Sequence, residues 1–354
     1  MTTMEPLLVR LLTSPAEGTP DWDVQRLVEA VARLGHEVRA VPVTPGDVHD
    51  DPDGAAVVHA FGWDAARAAA GAADTTGTPW VFTPVTAAPS HGVIDLRDND
   101  ELGSLARSAD AVAVSTTDQE RHVNQLGVSR ARTHVLPLGI DADLFSRSGP
   151  AANRTGRFRI VCEALRASDG VLDAVAALEA LPDAELMVLI PVPRADIDTV
   201  PHLVAVRDAA EHAGVRDRVA FYTPGEDRER AWLLRSADAV VSVPLVPGAH
   251  RIVLEAMSCG RPVVSTPVGG ARDLVVHGVT GLHVTSGDGR ALLGALRQLQ
   301  SEPFTVEAMG SAGADRVLSR YAWDRAAAEF AGLWARCAAS SGAQVAPTPV
   351  DATA

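Results

Sequence analysis

Hydrophobic and polar positions along this 354-residue chain follow two alternating rhythms. Short apolar runs at 7–12, 37–43, 55–60, 80–83, 111–115 and 133–137 are flanked by Gly, Pro, Asp or Thr and read as strands. Among them lie segments 23–34, 63–70, 100–107 and 117–126, whose apolar residues recur at helical spacing. Such alternation predicts parallel sheet with helices on both faces. After a polar stretch at 149–157 the rhythm restarts, with strands at 158–162, 185–190, 219–222 and 239–243 and helices at 170–181, 203–213 and 229–236. The segment 253–284 continues it: a short helix ending at Gly260, a buried strand 262–266, a Gly269-Gly270 turn opening a second helix, and a turn at Gly278 and Gly281 before another strand. Helices at 289–300, 305–318 and 324–337 complete the pattern.

The length exceeds the roughly 250–300 residues at which single cores stop growing, so two domains are expected, 1–150 and 151–320. The Ala-, Ser-, Pro- and Thr-rich tail 338–354 has little to bury and reads as disordered. A formal charge of -14 argues against a nucleic-acid surface, which needs clustered cations, whereas the arginines here are scattered. The chain has no Lys at all, which reads as a compositional bias of ancestry. Cys162, Cys259 and Cys337 are too few and too far apart for a disulfide framework or a CxxC metal site, and read as buried thiols of a reducing compartment. No export signal and no apolar run of roughly 20 residues is present, so a soluble cytoplasmic protein is expected, with a peripheral membrane contact kept open.

The run Val253-Leu254-Glu255-Ala256-Met257 through Gly260, Pro262, Gly269-Gly270, Gly278 and Gly281 resembles the nucleotide-sugar half of the family 4 glycosyltransferases. Further matches are Gly35-His36-Glu37-Val38, Val57-Val58-His59-Ala60, Ser108-Ala109-Asp110, the run from Gly127-Val128 to Gly139-Ile140-Asp141 with Phe145, and Tyr321-Ala322-Trp323. The resemblance implies an α/β GT-B fold, two Rossmann-like domains facing across a cleft. It also implies a last helix, 321–337, that crosses back to the first domain. It further implies transfer of a sugar from a nucleotide-diphosphate donor to an acceptor, with retention of configuration, without metal and without cofactor.

Glu255 falls where the family holds the donor ribose; Gly248, His250, Arg251, Gly269 and Gly270 are the other donor-binding candidates. His59, Thr83, His91 and Asp21 are candidates for the acceptor cleft, and no side chain is assigned to the chemical step. Breaking a bond to a diphosphate needs donors and cations where charge develops, from helix amino termini or basic side chains. Here the chain departs from the family. Pro247 stands at the first glutamate of a paired-glutamate motif, and the Gly-Arg-Leu to Lys-Gly segment reads Glu163-Ala164-Leu165 to Asp169-Gly170. Ala164 and Asp169 thus replace two cations; Arg251 and Arg166 are the compensating candidates. Each of these residues also has a structural reading, a solvated arginine, an exposed loop histidine, a strand-end packing role for His59, or a turn glycine. The first-domain segments 14–21 and 83–91 are where an acceptor is sought. The alternative, a pseudo-glycosyltransferase acting as a binding subunit for a homologous protein partner, is favoured by Pro247, Ala164 and Asp169. A sugar-nucleotide epimerase is a weaker third reading, because its charged cleft residues are missing.

Overall fold

The computed structural model describes residues 6–14, 21–44, 54–84, 100–137, 139–246 and 251–341. They form two compact units: Met1–Gly139 with Trp323–Ala354, and Ile140–Ala322. In the first, β1 (Leu8–Thr13), α1 (Asp21–Ala32), β2 (Glu37–Pro42), β3 (Val57–Phe61), α2 (Trp63–Thr76), β4 (Trp80–Thr83), α3 (Asp100–Ser108), β5 (Ala111–Val114), α4 (Thr117–Gln125) and β6 (Thr133–Val135) follow one another. The second contains β7 (Phe158–Glu163), α5 (Val171–Glu179), β8 (Ala184–Leu189), α6 (Pro201–His212), β9 (Val219–Tyr222), α7 (Asp227–Ser236), β10 (Ala239–Ser242), α8 (Arg251–Ser258), β11 (Val263–Ser265), α9 (Gly270–Leu274), β12 (Gly281–His283), α10 (Gly289–Ser301) and α11 (Pro303–Arg320). The last helix, α12 (Trp323–Ser340), belongs to the first unit.

Each unit is built on a six-stranded parallel sheet, ordered β2-β1-β3-β4-β5-β6 and β12-β11-β10-β7-β8-β9. Strands covered on both faces must be apolar on both, and β3, β5 and β10 are buried at every residue. Alternate residues feed opposite cores. Leu11 joins Leu27, Phe330 and Trp334 beneath α1 and α12, whereas Leu12 joins Trp63, Phe82 and Val112 on the other face. In the second unit Ile160 and Cys162 face the core with α5, α6 and α10, and Val161 faces the core with α7, α8 and α11.

Two sequence expectations change. The polar stretch at 149–157 does not mark the changeover between units, which falls at Gly139/Ile140. Residues just after it are bound to α7: Arg235 donates to the carbonyls of Leu144 (3.0 Å) and Pro150 (2.7 Å), and Phe145 is buried beside Leu234 and Ile252. The helix expected at 324–337 runs on to Ser340, because Cys337 and Ala338 are buried in the first unit's core.

Reversal of the strand order beside β7 is the feature that positions a site. From β7 the chain winds outward through β8 and β9, then returns to β10 on the other side. In open α/β sheets, ligands bind at the carboxyl ends of the strands where this reversal occurs. Here the loops at that end are β7–α5 and β10–α8. They pack closely: Leu245 N donates to Ser168 O (2.8 Å), and Gly170, at φ +75°, has no room for a side chain, since a Cβ there would lie 2.3 Å from Val243 O.

Candidate functional site

At the carboxyl end of β7 the strand finishes in Glu163, a carboxylate largely withdrawn from water. The first turn of α7 brings Arg230 against it, Nη1 donating to Glu163 Oε1 at 2.9 Å. The same guanidinium donates to Glu255 Oε2 through Nη2 (2.6 Å) and Nε (3.2 Å). Glu255 lies in the second turn of α8 and is 0% exposed. Its other oxygen, Oε1, is 2.5 Å from Arg251 Nε, one helical turn earlier, as an ion pair without hydrogen-bond alignment; that oxygen is buried with no directed donor. Arg251 in turn reaches Asp227 Oδ2 at 3.0 Å. The result is a chain of alternating sign, Glu163, Arg230, Glu255, Arg251, Asp227, laid across β7, α7 and α8.

Its electrostatics follow from burial. Desolvation raises the Glu163 pKa, with the Glu255 charge adding to it and Arg230 only partly offsetting it. Burial by itself would lower the Arg230 pKa, but Glu255 and Glu163 reverse that, and the guanidinium is held above its ordinary value, always charged. Three carboxylates against two guanidiniums leave the cluster with a formal excess of one negative charge.

The positions that would grip a diphosphate have structural duties. Ala164 is fully buried, its N–H donating to Leu189 O (2.8 Å), and presents no cation. Asp169 accepts from the backbone N–H groups of Leu165 (2.9 Å) and Arg166 (2.8 Å), closing the turn before α5, and its other oxygen is 3.4 Å from Arg166 Nε. Arg166 is therefore tied back to its own loop. Gly269 adopts φ +53° and caps α9, and Gly270 is buried as that helix's first residue, as the turn required. Asp238 receives the Arg159 N–H (2.7 Å), a strand-start role, and Glu226 is the exposed residue before α7. Gly248, His250 and Pro247 lie outside the described residues.

In the first unit, His59 and Thr83 are not rim residues, which corrects their sequence assignment to an acceptor cleft. They are 0% and 8% exposed and hydrogen-bonded to each other, His59 Nε2 to Thr83 Oγ1 at 2.8 Å. Trp334 Nε1–H of α12 donates to His59 Nδ1 (3.1 Å), and the Phe61 ring lies tilted against the imidazole at 4.3 Å. An indole can only donate, so Nδ1 is the acceptor and the proton sits on Nε2, which donates to Thr83. Burial lowers the His59 pKa to about 3, keeping the ring neutral. Through this chain of hydrogen bonds Trp334 of α12 is tied to β3 and β4. Asp21 opens α1, and His91 lies outside the described residues.

Sequence reasoning missed Arg230 and the role of Glu163. The signals were available. A carboxylate at the end of a buried strand, where the family resemblance has Gly, calls for a cation. Arg230 carries a charge on the face of α7 that also presents Leu233 and Leu234 to the core. Among the described residues no group of three or more His, Cys, Asp or Glu is arranged to hold a metal ion, and no helix is long and apolar enough to cross a membrane.

Comparison with known proteins agrees with this architecture. Residues 159–302 match the profile described as "Glycosyl transferases group 1", and residues 48–139 match "Glycosyl transferase 4-like domain". A D-inositol 3-phosphate glycosyltransferase of Xylanimonas cellulosilytica is 31% identical over 306 residues, covering 79% of this chain and 72% of that protein. Its counterpart in Mycobacterium tuberculosis (strain H37Ra) is 30% identical over 301 residues, covering 79% of this chain and 59% of the relative. Among solved structures, sucrose-phosphate synthase from Thermosynechococcus elongatus superposes with a TM-score of 0.78 at 20% identity, covering 94% of this chain and all of that one. Anabaena Alr3699/HepE in complex with UDP and glucose gives 0.71 at 17% identity, covering 92% and 98%. The two six-stranded parallel sheets are those of the GT-B fold.

Proposed function

Because this chain belongs to the glycosyltransferase group 1 family, we propose that it is a hexosyltransferase-type enzyme moving a sugar from a nucleoside-diphosphate donor, held by the second unit, to an acceptor. The observation that carries this reading is Glu255: a fully buried carboxylate on the helix that follows β10, beside the strand-order reversal, at the position the family uses for the donor ribose. A carboxylate is costly to bury unless it is hydrogen-bonded, and ribose hydroxyls are groups that such a carboxylate binds. Retention of configuration and independence from metal and cofactors belong to the same proposal, as does the role of Gly269 and Gly270 in bringing backbone close to the donor. A cytoplasmic location goes with it, supported by three buried free thiols.

The relatives' names supply the first acceptor to try, D-inositol 3-phosphate, and the HepE complexes the first nucleotide, UDP. The segments 14–21 and 83–91 of the first unit, largely outside the described residues, remain the acceptor proposal. The test is release of nucleoside diphosphate from a panel of nucleotide sugars, with and without D-inositol 3-phosphate. Acceptor-dependent release supports transfer.

One observation favours a second reading, a binding subunit without turnover that partners a homologous protein. The ribose carboxylate is already engaged by two arginines, while Ala164 and Asp169 offer a diphosphate no cation. No release with any donor or acceptor, together with measurable nucleotide binding, would select it.

A further inference from the structure

Glu163 and Arg230 form a matched pair for which donor binding through Glu255 has no use. Glu163 is a carboxylate where the family resemblance has Gly, and it holds one end of the Arg230 guanidinium at 2.9 Å. The other end is clamped on a single oxygen of Glu255 by two donors, at 2.6 and 3.2 Å. A planar guanidinium fixed at both ends by carboxylates on different elements is a preorganised contact, not a solvated surface arginine. Its side chain is 14% exposed, and Glu255 beneath it is 0% exposed.

We propose that Arg230 is a built-in competitor for the donor nucleotide: its guanidinium occupies the seat on Glu255 that the ribose hydroxyls take, is steadied there by Glu163, and so sets the affinity for nucleoside diphosphates. The proposal rests on the reading of Glu255 as the ribose-binding carboxylate. A pair of hydroxyls approaching Glu255 finds Oε2 saturated by charge-assisted hydrogen bonds, which are stronger than those a neutral hydroxyl makes. Only Oε1 lacks an aligned donor, and it is sealed from solvent. Binding therefore requires Arg230 to swing away, and when it does, Glu163 loses its cation beside a second carboxylate. That loss is subtracted from the binding free energy, so the competitor weakens nucleotide binding without touching the nucleotide. Arg230→Met also deepens the cluster's negative excess, which opposes a diphosphate, so a gain in affinity in that variant has to outweigh this repulsion, whereas Glu163→Gln removes a negative charge. Arg230 lies in the first turn of α7 with 14% of its side chain exposed, the side by which it would leave.

Calorimetric titration of the full-length protein with UDP, GDP, ADP and dTDP tests this, comparing wild type with Arg230→Met, Arg230→Lys and Glu163→Gln. Arg230→Met is expected to bind the preferred nucleotide at least about tenfold tighter than wild type, with the order of preference unchanged. Arg230→Lys, which keeps the charge but loses the fork, and Glu163→Gln, which frees one end of it, are expected to shift affinity the same way by less. Should Arg230→Met melt below the assay temperature, the other two variants carry the test. Equal or weaker binding by the variants, with wild type still binding, overturns the proposal and makes Arg230 a bystander or a nucleotide contact, while the ribose reading stands. Absence of binding to every nucleotide in wild type and all variants brings down the ribose reading itself.

Discussion

A buried neutral histidine is a liability in acid, and His59 shows how a residue's environment overrules its reputation. As a histidine at a strand end, it reads from the sequence as a candidate for the acceptor cleft or as a strand-end packing residue. Packing puts it instead among Phe61, Phe330 and Trp334, with both ring nitrogens hydrogen-bonded. The folded pKa of about 3 lies below the value of 6.5 for an unperturbed ring, so below pH 6.5 the unfolded chain binds a proton that the folded one refuses. This contribution to stability is fully present above pH 6.5 and falls by about 1.4 kcal/mol per pH unit between there and pH 3. Thermal melts across that range should show it, with a His59→Phe variant flattened in comparison. Replacing Trp334 by Phe removes the N–H that satisfies His59 Nδ1. It should cost about 1–3 kcal/mol, measured by denaturant unfolding. Glu255 was legible because a lone acid set between Val253-Leu254 and Ala256-Met257 interrupts an apolar run, where a carboxylate is costly to bury unless it binds something. Arg230 carried a signal, a charge on the core-facing side of α7, but its pairing with Glu255 joins residues 25 positions apart on different helices, which no local spacing reveals.

At the scale of elements most of the structure was readable. The strands were apolar runs bounded by turn residues, and the helices carried 3.6-residue periodicity, so nearly every expected element exists within a few residues of its expected ends. What failed were boundaries set by tertiary contacts. The 149–157 stretch looks like a linker by composition, yet Arg235 donates to the carbonyls of Leu144 and Pro150 and Ala152 N donates to Trp232 O. Two element-level predictions follow from close packing around β7. Gly170→Ala would place a Cβ against Val243 O in a left-handed conformation, and should cost about 2–3 kcal/mol by chemical denaturation, loosening the β7–α5 loop. On adjacent strands, Arg159 Nε donates to Glu185 Oε1 at 2.6 Å and Nη1 to Ser236 Oγ at 2.9 Å, all buried. Arg159→Met should destabilise by about 3 kcal/mol because it strands the Glu185 charge, and Arg159→Met with Glu185→Met should cost less than the single change. A double variant no more stable than the single one would contradict that assignment.

For the whole molecule, two parallel sheets with reversed strand order, each with its own pair of cores, make up a group 1 glycosyltransferase whose second unit presents a carboxylate at the point where such sheets bind ligands. The same unit lacks the cations that the family resemblance leads one to expect, and it carries an ion-pair chain in their neighbourhood. The fold and family were legible in the sequence because they rest on patterns repeated along the chain. The identity of donor and acceptor was not, because a few loop contacts choose them. The proposed function turns on nucleotide binding through Glu255, and the most direct measurement is calorimetry of the wild-type protein and Glu255→Gln against UDP, GDP, ADP and dTDP. The expected result is saturable binding of one nucleotide by the wild type, weakened at least about tenfold in a folded Glu255→Gln variant. Unchanged affinity in that variant, or no binding of any nucleotide by the wild type, would contradict it.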